Sequence, residues 1–305
     1  MTGMAKSLAF LTLLALVVPQ AARAQADGSE SQRQIAAARA ALPADAAKVL
    51  FGSVKGPASL AARSIGGYAK GCLAGGVALA VNGLDWQVMR LTRNRNWGHP
   101  ALIDFLEHFA ASAKADGWPG LLVGDMAQPR GGPMITGHAS HQIGLDADIW
   151  LLPAPNRTLT AAEREEISAV SMLKPGTRQI DSKLWTPARA QLIKRAALAP
   201  EVARIFVNPA IKQALCQSAG TDRAWLRKVR PWYGHDYHFH VRVACPKDAV
   251  GCTDQDPPPA GDGCGADLAW WLGPEPYKPE PPTPPKPPMK LKDLPQACAD
   301  VLAAP

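Results

Sequence analysis

Five of the seven histidines lie in two short segments, GHASHQIGLDADIW (137–150) and YGHDYHFHV (233–241), and the first also carries Asp146 and Asp148. Imidazoles with a carboxylate are the donor set zinc takes when a coordination position must stay open for water. The chemistry to expect is therefore that of a zinc hydrolase. Bound zinc lowers the pKa of water to about 7, so a nucleophile forms at neutral pH without a strong base. Lone histidines elsewhere, His99 and His108, are expected to make ordinary hydrogen bonds.

Such donors need elements that aim them together. In Leu145–Trp150 polar and apolar residues alternate, so an extended chain puts Asp146 and Asp148 on one face and Leu145, Ala147 and Ile149 on the other. The run 237–241 alternates likewise, with His238 and His240 opposite Tyr237, Phe239 and Val241. Two such strands side by side would point His240 and Asp148 at one place. His141 precedes Asp148 by seven residues, and Gly144 permits a turn that returns its ring over the strand.

Other hydrolytic chemistries have little support. Ser171-Met172-Leu173-Lys174 matches S-x-x-K, but Pro175 follows and no K-T-G or S-D-N accompanies it. HExxH, GxSxG and phosphate-binding loop patterns are absent.

The surrounding chain points to export. Residues 1–24 carry Lys6, an apolar run from Leu8 to Val18 and the small-x-small site Ala22-Arg23-Ala24, the pattern of a cleaved signal peptide too short to span a membrane. The expected location is periplasmic. The six cysteines, with no CxxC pair, suit three disulfides in an oxidising compartment. Sequence leaves fifteen connectivities open. The expected set is Cys245–Cys252 as a loop clip, Cys216–Cys264 around the second histidine segment, and Cys72–Cys298 joining the two ends.

The formal charge is +7, and loss of residues 1–24, with Lys6 and Arg23 and no acid, would lower it by two. That modest excess suits an anionic wall polymer. Neither a nucleic-acid partner nor a transmembrane segment after signal removal is expected.

Helices are expected over 30–50, over 100–116 with Leu102, Phe105, Leu106 and Phe109 on one face, over 160–170 with Thr160 as N-cap, and over 187–199. Strand-like pieces fall at 78–81, 86–92 and 121–127. Without a regular βαβ alternation, the expected class is α+β: a small antiparallel sheet carrying the zinc site, surrounded by helices and loops and stabilised by disulfides. The proline-rich run 274–288 marks a boundary, dividing the mature chain into a domain that carries the zinc site (25–273) and a C-terminal tail (274–305) that Cys298 could pin back.

The pairing of H-x6-D (His141, Asp148) with H-x-H (His238, His240) resembles the superfamily of lysostaphin, D-alanyl-D-alanine peptidases and hedgehog. The longer stretches GHASHQIGLDADIW, RIFVNPAIKQALC (204–216), TDRAWLRKVRPWYGHDYHFHVR (221–242) and AGDGCGA (260–266) are similar to the penicillin-insensitive murein endopeptidases. The resemblance implies His141, Asp148 and His240 as the zinc ligands and His238 as general base, with His138 and His235 as further histidines lining the site, either hydrogen-bonding or as alternative ligands. His235, the rival of His238 as base, is expected to act in catalysis by stabilising the oxyanion, and Asp146, read from the residues alone, either to orient a ligand histidine or to bond backbone. The implied activity is zinc-dependent cleavage of peptide cross-links in peptidoglycan, at the D-alanyl to meso-diaminopimelyl bond, without an acyl-enzyme for β-lactams to trap. Some relatives hold a second metal before a Leu-Trp; here the loop before Leu184-Trp185 is KPGTRQIDSK, without histidine, so none is expected there. The alternatives are a D,D-carboxypeptidase of the same fold and a zinc-containing module that binds murein without cutting it.

Overall fold

The computed structural model describes residues 32–305 apart from 248 and 280; residues 1–24, expected to be a signal peptide, lie outside the described residues. The short helix α1 (Ala47–Gly52) leads into an antiparallel hairpin, β1 (Arg63–Gly67) and β2 (Lys70–Ala74). After β3 (Val77–Ala78), β4 (Trp86–Val88) and β5 (Trp97–Gly98) comes the long helix α2 (Pro100–Ala115), then β6 (Leu121–Val123) and β7 (Asp146–Trp150). Helices α3 (Ala161–Glu166) and α4 (Pro187–Leu198) precede β8 (Val202–Val207), α5 (Pro209–Ser218), β9 (Val229–Pro231) and β10 (His238–Val243). Helices α6 (Ala266–Leu272) and α7 (Ala297–Ala303) close the chain.

The main sheet has six strands in the order β4-β6-β7-β10-β8-β9. Its centre is antiparallel, as expected, but β4 runs parallel to β6 and β9 parallel to β8. The sheet is thus larger than expected and mixed. Parallel neighbours need a crossover, and α2 and α5 supply one at each edge. Three of those outer strands have only three residues, too few to show a period.

Helix α2 starts where the chain dictates. Pro100 occupies the first turn, where its missing N–H costs nothing, and His99 Nδ1 accepts from Ala101 N at 3.2 Å. Its apolar stripe buries Leu102, Phe105, Leu106 and Phe109, and Phe109 meets Phe239 of β10 edge-on at 6.3 Å. Each such burial is worth about 1.5–3 kcal/mol. Phe239 and Val241 belong to the same core as Ala147 and Ile149 of β7, so one face of both strands is held by packing. The residues between them face the other way. Thr160 caps α3 through a reciprocal bond with Glu163, though that helix ends at Glu166, short of 170.

A second core joins the ends of the chain. Phe51, Ile65, Leu294 and Val301 pack together, and Cys298 of α7 is bonded to Cys72 of β2. The Arg130 guanidinium donates to the Val301, Leu302 and Ala304 carbonyls, satisfying acceptors at the end of α7. Residues 281–288 are exposed. Two further disulfides, Cys216–Cys264 and Cys245–Cys252, tie α5 to the turn before α6 and clip the loop after β10, leaving no free thiol. Among the described residues no helix is long and apolar enough to cross a membrane.

Candidate functional site

Strands β7 and β10 pair so that His240 lies opposite Asp148 and Arg242 opposite Asp146. His141 comes back over this pair because Gly144 adopts φ +73°, where a Cβ would lie 2.7 Å from Leu73. His141 itself sits at φ +65°, an uncommon conformation for a residue with a side chain. Its backbone N–H donates to Asp146 Oδ2 at 3.0 Å, which helps hold that turn.

Two rings are oriented with one nitrogen facing inward, His141 by a hydrogen bond and His240 by a nearby carboxylate. His141 Nδ1 lies 3.0 Å from the Met126 carbonyl and must donate to it, leaving the Nε2 lone pair 3.4 Å from Asp148 Oδ1. His240 Nε2 stands 2.9 Å from Asp146 Oδ1, at ion-pair distance though not well directed as a hydrogen bond, while Nδ1 lies 3.7 Å from Asp148 Oδ1. Asp146 is anchored by Arg242 at 2.8 Å. A carboxylate or carbonyl behind each imidazole is the arrangement that orients metal-binding histidines.

His138 completes a second grouping. One donor atom each from His138, His141 and Asp148 lies within 4.8 Å of the others, a cluster that could hold a metal ion. His138 Nε2, however, is 3.0 Å from Asp125 Oδ2 as well as 3.5 Å from Asp148 Oδ2. Asp125 is buried and also paired with Arg95 at 2.8 Å and Arg93 at 3.1 Å.

His238 and His235 stand beside this centre. His238 Nε2 is 3.6 Å from Asp148 Oδ1, and its ring is 4.8 Å from that of His235. His235, at φ +53°, has Nδ1 2.6 Å from the Tyr233 carbonyl, so the neutral ring offers Nε2 as an acceptor. A cleft of about 740 Å³ opens on one side, lined by His138, His235, His238, His240 and the aromatic residues Trp232 and Trp271. On the other side is a smaller pocket of about 230 Å³ between Arg90, Arg93, Asp125 and Trp150, sharing His138 and His238 with the first.

The electrostatics favour a cation. Burial opposes charge on Asp148, yet His238, His138 and His141 hold its carboxyl well below the usual carboxylate range. Asp146 is lowered by Arg242 and His240 against the same desolvation. Burial pushes His238 down to about 4 and His240 to about 3, so both rings are neutral at neutral pH. His138 differs: burial opposes its protonation, but Asp148 and Asp125 raise it above the ordinary value. Among the described residues, the buried side-chain polar atoms without a hydrogen bond are His141 Nε2, Asp148 Oδ1, both His238 nitrogens, His240 Nε2 and, away from the site, Trp118 Nε1. Buried polar atoms are rarely left unpaired, and a cation seated among the inward-facing atoms would satisfy several at once. The donor set, imidazole and carboxylate, is one zinc accepts.

Comparison with known proteins covers the part of the chain that holds this site. The family model described as penicillin-insensitive murein endopeptidase matches residues 64–303. The chain belongs to that family. It is 47% identical over 244 residues to the penicillin-insensitive murein endopeptidase of Haemophilus influenzae, covering 80% of this chain and 84% of that one. Proteins of the same description from Yersinia enterocolitica (45%; 73% and 80% covered) and Klebsiella pneumoniae (43%; 81% and 88%) are also similar.

All seven residues singled out by sequence (His138, His141, Asp146, Asp148, His235, His238 and His240) meet around this one centre. His99 and His108 stand elsewhere, the first capping α2 and the second bonded to the Asp104 carbonyl. Ser171 of the S-x-x-K match bonds Asp236. Asp125 was missed, as were Arg93 and Arg95 that hold it. Its signal was a lone carboxylate in the apolar run LLVGDMA, where an unpaired charge would not be tolerated.

Proposed function

We propose that the protein is a zinc-dependent endopeptidase that hydrolyses peptide cross-links in murein. The observation that carries this reading is the group of buried, unpartnered donor atoms on Asp148, His141 and His238, of which His238 lines the cleft and Asp148 the smaller pocket, in a chain of this family. His141 through Nε2, Asp148 through its carboxylate and His240 through Nδ1 would hold the ion, three protein ligands being usual where one position stays open. His138 is less suited as third ligand, because Asp125 engages the nitrogen it would use. When bound, zinc supplies the Lewis acid that activates water and polarises a peptide carbonyl.

The chain's own groups then manage the proton. His238, neutral and free at both nitrogens, takes the proton released as the carbonyl is attacked and delivers it to the departing amine. His235 serves as an acceptor toward the cleft; it could donate to an oxyanion only as the protonated ring, which its burial disfavours. Asp146 positions His240, and Asp125 positions His138. No serine nucleophile is required, consistent with indifference to β-lactams. From the family resemblance we infer the D-alanyl to meso-diaminopimelyl bond as the one cut. We also infer action in the periplasm after export by residues 1–24, with 25–273 as the catalytic domain and 274–305 as its tail.

The test is the muropeptide mass profile of purified sacculi incubated with the protein, with and without chelator and penicillin. Loss of cross-linked dimers with matching gain of monomers is expected, stopped by chelator and untouched by penicillin. Loss of single alanines from an unchanged dimer pool would mark a carboxypeptidase. No change at all would leave a binding module.

A further inference from the structure

Beside the catalytic cleft the surface carries a group of aromatic rings that the hydrolytic reading does not use. Five of the thirteen Trp and Tyr residues, Trp232, Tyr233, Trp270, Trp271 and Tyr277, meet there. Trp271 is the hub, with ring centroids 5.7 Å from Trp232, 4.9 Å from Tyr233 and 5.2 Å from Trp270; Tyr277 lies 5.8 Å from Tyr233. Trp232, Tyr233, Trp270 and Tyr277 are each between 41% and 49% exposed. Soluble proteins rarely leave so much contiguous aromatic area in water unless it binds something.

The group is built, not accidental. Tyr233 Oη donates to the Pro276 carbonyl at 2.7 Å, tying the turn after α6 to the loop before β10. Arg178 donates to the Gly273 carbonyl and places its guanidinium 4.3 Å over the Tyr277 ring, holding that ring from one side. Tyr233 and Tyr277 are therefore held before any ligand arrives, which lowers the cost of binding.

Three features identify the occupant. The patch continues the cleft, because Trp232, Tyr233 and Trp271 line both. Its rings are all Trp and Tyr, whose faces carry a negative quadrupole that attracts the C–H faces of a pyranose ring, while guanidinium and phenol groups at the edge can bond hydroxyls and acetamides. The third is reach. Ring-to-ring steps of 5.1, 6.0 and 5.7 Å lead from His240 through Phe206 and Trp232 to Trp271. A murein peptide of about four residues spans roughly 14 Å when extended, so a scissile bond at the histidines brings its sugar to this distance.

We propose that this aromatic platform binds the glycan strand of murein, a chain of β-linked N-acetylated amino sugars, while the attached peptide enters the cleft. The inference rests on the murein reading above and extends it to a second part of the same substrate. It makes the enzyme prefer cross-links still attached to glycan over the same peptides released from it.

The test compares two substrates sharing one cross-linked peptide: purified, protein-free sacculi, and the glycan-free cross-linked peptide released from them by an amidase. The double variant Trp270→Ala/Tyr277→Ala alters rings outside the catalytic cleft. It is expected to lower the rate on sacculi at limiting substrate by about fivefold to twentyfold, given the worth of two aromatic contacts, and to cut the glycan-free peptide at the wild-type rate. A tetramer of N-acetylglucosamine should inhibit digestion of sacculi by the wild type and not by the variant. Equal slowing on both substrates, or no change on either, would overturn the platform while leaving the endopeptidase reading intact. Normal cutting of the free peptide also certifies that the variant is folded, and the absence of protein from the sacculi excludes a protein partner as the cause. Wild-type protein that cuts neither substrate would sink the murein reading and this inference with it.

Discussion

The paired strands β7 and β10 have two faces made from alternate residues of the same two segments, and the faces are built on opposite principles. On one, Ala147, Ile149, Phe239 and Val241 are buried against α2 and the rest of the core. On the other, Asp148, His238 and His240 are also buried but leave atoms unpartnered, while Asp146 is paired with Arg242 and the His141 N–H. Packing satisfies the first face, and a bound ion would satisfy part of the second. Unpaired polar atoms in a low-dielectric setting each cost about 1–3 kcal/mol, so the apolar face and the surrounding sheet must offset what the polar face lacks. The comparison teaches that the rigid side of a strand pair lets its other side hold a geometry it would not choose unaided.

The contrast can be broken by mutation on either side. The largest effect is expected for His238→Ala, which should lower turnover about 10²–10⁴-fold with bound metal retained. Measured by muropeptide release and metal content, full activity would remove His238 from its role, and several kcal/mol of lost stability would erase the distinction between the faces. Phe239→Ala, one residue along but facing the core, should instead cost about 3–5 kcal/mol in denaturant unfolding. Metal bound per folded molecule should change little.

Smaller effects sharpen the picture. Asp146→Asn weakens the support behind His240 and should reduce metal affinity by about 10–100-fold in chelator competition. Affinity unchanged by this variant would mean that Asp146 serves the backbone turn at His141 and the Arg242 pair alone. The smallest effect is the response to acid without metal. His238, at about 4, and His240, at about 3, lie below the unfolded histidine value of about 6.5, so the unfolded chain binds more protons between those limits. Their contribution is complete well above pH 6.5 and is lost as pH falls through that window, by about 1.4 kcal/mol per histidine at pH 5.5. His138, raised against its burial by Asp148 and Asp125, works in the opposite direction, so unfolding curves in chelator from pH 7 to 5.5 in a His138→Asn background measure this; stability that holds flat there would mean that neither ring is buried neutral.

Much of the site was readable from alternation. The period of two in LDADIW and HFHV places the aspartates and histidines on one face each, because a strand has only two faces. The capping residues at Thr160 and the Pro at the start of α2 were likewise local signals. The parallel edges of the sheet were not legible, since β4, β6 and β9 are three residues long and their pairing depends on where α2 and α5 lie. Asp125 shows the same limit. Its neighbours Arg93, Arg95 and His138 come from other segments, so its role exists only after folding.

What the sequence by itself determined is the kind of chemistry available: which donor atoms exist, which share a strand face, and which turn residues allow the chain to return. These follow from local backbone geometry and side-chain chemistry. Tertiary structure decided which nitrogen of each ring faces inward, that Asp146 stands behind His240 and Asp125 behind His138, and that rings from α6, the turn after it and the loop before β10 meet beside the cleft. Those choices depend on contacts between residues far apart in the chain, and no local pattern encodes a distance that only packing sets.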